Sequence, residues 1–76
     1  MRDEIYQYVK SVAEKKNVEI GIDTDLFDTG VLDSLEIITL LSFLRDEKNL
    51  HISYDDLQFE NFQTVKNIIK WAEKQA

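Results

Sequence analysis

The chain has 76 residues, 43% hydrophobic and 32% charged, with 15 acidic side chains against 9 basic ones and a formal net charge of −6. That length allows one domain, residues 1–76, whose small core leaves little room for a deep substrate cleft, and the composition excludes a disordered chain. The acidic balance repels phosphate backbones and anionic lipid, which disfavours nucleic acid and membrane partners and suits partners with basic patches.

There is no cysteine, so neither a disulfide framework nor a thiolate metal site can form. The N-terminus, MRDEIYQYVK, lacks an apolar signal core, and no stretch approaches the ~20 apolar residues of a membrane span. A cytoplasmic monomer is the expectation. With no proline, only Gly21 and Gly30, and no strict alternation of apolar and polar residues, the chain reads as all-α.

The first helix is predicted from about Asp3 to Lys16, with Ile5, Val9, Val12 and Ala13 as one apolar stripe. Acids lead it and lysines end it, which complements the helix dipole. A long connection follows, roughly Asn17 to Asp33. Connections of this length are uncommon and tend to be functional or self-packed. Ile20, Ile22, Leu26, Phe27, Val31 and Leu32 predict that it is pinned to the core at several points.

The second helix is predicted to start at Asp33 and run to about Lys48. Asp33 followed by Glu36 is a capping-box pattern. Ile38, Leu41 and Leu44 are expected inside, with Leu35 near the top and Leu40 and Phe43 to the sides. The helix is more apolar than one buried face requires, so some of it is free to meet partners. After a connector over Asn49–Ser53, Ser53 and Asp56 predict a short third helix around Tyr54–Phe59. Thr64 caps the last helix, whose inner stripe is Val65, Ile68, Ile69 and Ala72. The expected architecture is a four-helix bundle with a long loop between the first two helices and a short third helix.

Few residues offer catalysis. Asp23, Asp25 and Asp28 fail as a calcium loop, because Phe27 falls where an oxygen ligand is needed and Asp28 where glycine is required. They read as solvated carboxylates. His51 is the only histidine and has no nucleophile to serve. Phe43 and Trp71 read as core or edge aromatics, Tyr6 and Tyr8 as boundary residues.

The informative segment is Asp25-Leu26-Phe27-Asp28-Thr29-Gly30-Val31-Leu32-Asp33-Ser34-Leu35-Glu36. It delivers Ser34 to the first position of a helix, where unpaired N–H groups and the positive end of the dipole stabilise an attached anion. Leu26-Phe27, Gly30 and Val31-Leu32-Asp33-Ser34-Leu35 resemble the prosthetic-group attachment region of the acyl carrier protein family. The length, the acidity, the long first loop and the Thr64-Val65 opening of the last helix extend that resemblance over nearly the whole chain.

The resemblance implies no catalysis but a covalent 4′-phosphopantetheine arm on Ser34, whose thiol holds acyl or aminoacyl groups as thioesters. Asp33 and Leu35 would flank the attachment. Leu35, Glu36, Thr39 and Asp46 would meet partners: a phosphopantetheinyl transferase, a loading ligase or acyltransferase, and a downstream synthase or transferase. Glu47 adds to the same acidic end. Thr39, Ser42 and Arg45 stand where fatty acid carriers are often acidic or methionine. The Leu57…Glu60-Asn61-Phe62…Val65 stretch is more similar to stand-alone carriers of specialised pathways, such as methoxymalonyl and D-alanyl carriers. The alternatives are a fatty acid synthesis carrier and, outside the class, an unmodified helical interaction module.

Overall fold

The computed structural model describes residues 2–53 and 57–75. Among them are three α-helices and one 3-10 turn, and no strand: α1 (Arg2–Lys15), α2 (Ser34–Lys48), the turn Phe59–Phe62 and α3 (Val65–Gln75). Half of the third helix expected around Tyr54–Phe59 falls on residues 54–56, outside the described residues. Leu57 and Gln58 are not helical, and the 3-10 turn opens at Phe59.

α1 buries Ile5, Val9, Val12 and Ala13, the stripe its spacing predicts. It ends in a Schellman arrangement. Asn17 takes a left-handed φ of 60°, its N–H donates to the Glu14 carbonyl and the Val18 N–H donates to that of Ala13. α1 is antiparallel to both other helices. Its Glu4 pairs with Lys48 at the end of α2, and its Arg2 donates to Glu73 near the end of α3 at 3.1 Å. Tyr8 stacks on Phe43 with ring centroids 4.8 Å apart, joining α1 to α2.

α2 is turned relative to expectation. Leu40 and Leu44 are fully buried, Ile37, Leu41 and Phe43 are half-buried, and Ile38 is 61% exposed. The inner stripe is thus 37/40/41/44, a complete i, i+3, i+4, i+7 set. Facing Ile38 inward instead would turn the helix by about 100° and carry Leu40 off the core axis. Asn49 ends the helix at φ 55°, and Leu50 folds back into the core.

α3 buries Val65, Ile68, Trp71 and Ala72, with Trp71 tilted on Phe62 at 5.1 Å. Ile69 is half-buried. Thr64 caps α3 by accepting the Asn67 N–H at 3.0 Å. The long connection supplies buried Leu26, Val31 and Leu32 and half-buried Ile20 and Phe27. Ile22 departs from the expected pinning: its side chain is 53% exposed, and only its carbonyl is held, by the Lys66 N–H at 3.1 Å.

Candidate functional site

The approach to α2 is fastened at both ends. At one end Lys16 Nζ donates to the carbonyls of Gly30 (3.1 Å) and Val31 (2.9 Å). At the other, Asp25 organises a turn. Its Oδ1 accepts the N–H groups of Phe27 (2.9 Å) and Asp28 (2.8 Å), while its Oδ2 accepts the Gln63 side-chain amide (2.9 Å). The Leu26 N–H donates to the Gln63 carbonyl at 2.8 Å and the Leu32 N–H to the Leu26 carbonyl at 2.9 Å. Gly30 closes the turn at φ +77°, where a side chain would be strained. The three donors hold the Asp25 carboxyl below its usual pKa, the Asp28 N–H contributing most.

The chain then reaches Asp33 in an extended conformation. Its Oδ1 accepts the Glu36 N–H at 2.9 Å, and its carbonyl accepts the Ile37 N–H at 2.9 Å. Helix geometry therefore begins at Ser34, which is exposed. The cap occupies one first-turn N–H; those before it point out of the helix start beside the Ser34 side chain.

An apolar margin surrounds this serine. Leu35 is 68% exposed and Phe59 70%. Phe59 lies against Phe27, centroids 4.0 Å apart. A cleft of about 270 Å³ runs from Ser34 past Ile37 and Ile38 to Leu57, Phe59 and Phe62. A second, of about 320 Å³, continues along α2 from Ile38 to Arg45, with Leu57 and Ile52 opposite.

The residues expected to meet partners are spread along α2. Leu35, Thr39 and Asp46 share one side by spacing, and all three are exposed. Asp46 lies about 18 Å along the axis from Ser34 and is paired with Arg45 at 3.4 Å. The Thr39 hydroxyl donates to the Leu35 carbonyl. Glu36 is half-buried and turned toward α1. Burial chiefly, and then the charge of Glu36, raises the pKa of Tyr8. His51 lies past the far end of α2 from Ser34. No group of His, Asp or Glu suited to a metal ion occurs among the described residues. The site offers an exposed hydroxyl at an electropositive helix start, bordered by an apolar trough. It fits a phosphodiester with a long, partly apolar arm.

A model of the family described as the phosphopantetheine attachment site matches residues 3–72. The chain belongs to that family. Its cofactor is 4′-phosphopantetheine, held covalently, which supplies a thiol for thioester carriage. The chain is also similar to curated relatives named D-alanyl carrier protein, from Bacillus cereus (strains B4264 and AH187) and Bacillus anthracis (strain CDC 684 / NRRL 3495). Each is 25% identical over 73 residues, covering 96% of this chain and 92% of the relative. The resemblance read from Leu26–Leu35 therefore stands, and with it a general carrier role.

Sequence reading missed the fastenings. Asp25 reads as a solvated carboxylate, although an aspartate followed by a tight turn is a signal for side-chain-to-backbone bonding. Gln63 and Lys16 carry no local signal, because their partners are remote in sequence. Phe59 fits no helical stripe, which is the trace an apolar surface residue leaves.

Proposed function

We propose that Ser34 bears the phosphopantetheine arm and that the protein is a stand-alone carrier of a small acyl or aminoacyl group. The observation that carries this reading is the exposed Ser34 hydroxyl at the first position of an α2 that Asp33 caps. Asp33 fixes where the helix starts. The first-turn N–H groups and the dipole favour the phosphodiester. Leu35 and Ile38 give the arm and its partners an apolar surface. The chain carries and does not catalyse: partner enzymes join the arm to the Ser34 hydroxyl as a phosphodiester and acylate the arm's thiol. Those partners are a phosphopantetheinyl transferase using coenzyme A, a loading ligase or acyltransferase and a downstream transferase or synthase.

The names of the D-alanyl carrier relatives favour an aminoacyl cargo and an envelope-modification or other specialised pathway over fatty acid synthesis. The clefts beside Ser34 agree with a small cargo, since both are troughs on the surface. We place the protein in the cytoplasm as a monomeric single domain, residues 1–76, with the four-helix architecture of carriers. No helix among the described residues is long and apolar enough to cross a membrane.

Incubation with coenzyme A, Mg²⁺ and a broad-specificity transferase, followed by intact mass measurement, tests the assignment. Wild type gains one phosphopantetheinyl group and Ser34→Ala gains none. A gain that survives Ser34→Ala overturns the assignment, and no gain in wild type favours the unmodified interaction module instead.

A further inference from the structure

α3 is charged oppositely to the rest of the chain. It contains Lys66, Lys70 and Lys74 against the single acid Glu73, a local charge of +2. The chain as a whole is −6, so the remaining residues carry −8. The three lysines are four residues apart and form one ridge along the helix. All three are exposed. Glu73 is engaged by Arg2, and no carboxylate among the described residues pairs with any lysine of the ridge. Like charges at this spacing repel, so the ridge works against the helix that bears it.

Beside the ridge is a cleft of about 380 Å³ between α1 and α3. Tyr6, Ile22 and Ile69 supply apolar surface, and Arg2, Lys66 and Lys70 stand around them, with Asp3 as the one acid. Ile22 is the apolar residue of the long connection that stays largely in solvent, and it does so here. The cleft shares no lining residue with the two beside Ser34.

We propose that this face docks an acidic segment of a partner protein. Carboxylates spaced for Lys66 and Lys70 meet the ridge, and an aliphatic side chain between them sits over Ile22 and Ile69. Charge complementarity selects such a segment, and the apolar floor distinguishes it from a plain polyanion. An anionic membrane suits the face poorly. The body is only 31 × 21 × 20 Å, so its remaining −8 lies within a few Debye lengths of about 8 Å from any extended surface that reaches the ridge. This second attachment leaves Ser34 and α2 free, and it does not depend on Ser34 being modified.

The test is amide chemical-shift mapping of the full chain with a blocked helical peptide carrying Glu at i, i+4 and i+8 and Leu between. Saturable shifts should centre on Ile22, Lys66, Ile69 and Lys70 and weaken as salt is raised. Lys66→Gln/Lys70→Gln should weaken binding at least tenfold, whereas Lys15→Glu, which makes the same change in net charge at an exposed residue outside every cleft named above, should bind like wild type. Both variants should accept the arm as wild type does, which separates this result from failure of the Ser34 assignment. Absence of shifts, shifts centred elsewhere, or equal weakening by the two variants would overturn the proposal. So would binding to phosphatidylglycerol vesicles without binding to the peptide.

Discussion

α2 and α3 each start at a side-chain cap and each lie against α1, yet they divide their apolar residues differently. α3 is two-sided: Val65, Ile68, Trp71 and Ala72 go inward and lysines go outward. α2 buries Leu40 and Leu44 and still presents Leu35 and Ile38 to solvent beside Ser34. Apart from half-buried Ile69, which floors the cleft beside the lysines, the apolar residues of α3 match what packing needs. Those of α2 exceed it, and the excess lies beside Ser34, where the proposed arm and its partners would come. On the proposed function, this surplus serves as a docking surface and costs some solubility as free protein.

The largest effect separates inner from outer residues. Ile68→Ala removes a fully buried side chain and should lower stability by about 2–5 kcal/mol in urea unfolding. If it unfolds like wild type, the two-sided description of α3 is wrong.

The caps sharpen the comparison. Asp33→Ala and Thr64→Ala each remove one acceptor for a first-turn N–H and should each cost about 1 kcal/mol. Only Asp33→Ala should also slow transfer of the arm to Ser34, because only that cap sets the position of the hydroxyl. Equal transfer rates in the two variants would mean that the cap at α2 is purely structural.

A smaller effect concerns Asp25, which ties the approach of α2 to the approach of α3 through Gln63. Its folded pKa is depressed below the ordinary 3.8. A depressed folded value means that its contribution is complete above the unfolded value and is lost as pH falls through the folded one. Asp25→Asn should therefore reduce stability at neutral pH and flatten the loss on acidification below about pH 4, read from urea midpoints across that range. An unchanged acid profile would detach Asp25 from the latch.

The smallest stability effect should come from Ile38→Ala, within about 0.5 kcal/mol of wild type. Its effect should appear instead as a lower kcat/KM when the loading enzyme uses the modified carrier as substrate. A variant that loads normally would show that the surplus on α2 does not serve partners.

Legibility followed the range of the interactions. The stripe of α1, the caps at Asp33 and Thr64 and the exposed start at Ser34 rest on neighbours within a turn or two, and all were readable. The rotation of α2 was not. Ile37, Ile38, Leu40, Leu41 and Leu44 allow more than one inner stripe, and periodicity alone does not rank them. The Phe27–Phe59 contact and the Asp25–Gln63 bond join segments far apart in the chain, so no local pattern announces them.

By itself the amino-acid order determined where helices start, that they are helices, and that a serine stands at the head of one of them. Those outcomes follow from side chains bonding to backbone groups three residues away and from apolar spacing. Only the tertiary structure decided which side of α2 faces water, how the long connection is fastened under Ser34, and that the lysines of α3 stand without carboxylate partners among the described residues. Each of these depends on which distant surfaces meet, and the packing of α1 against both other helices settles that.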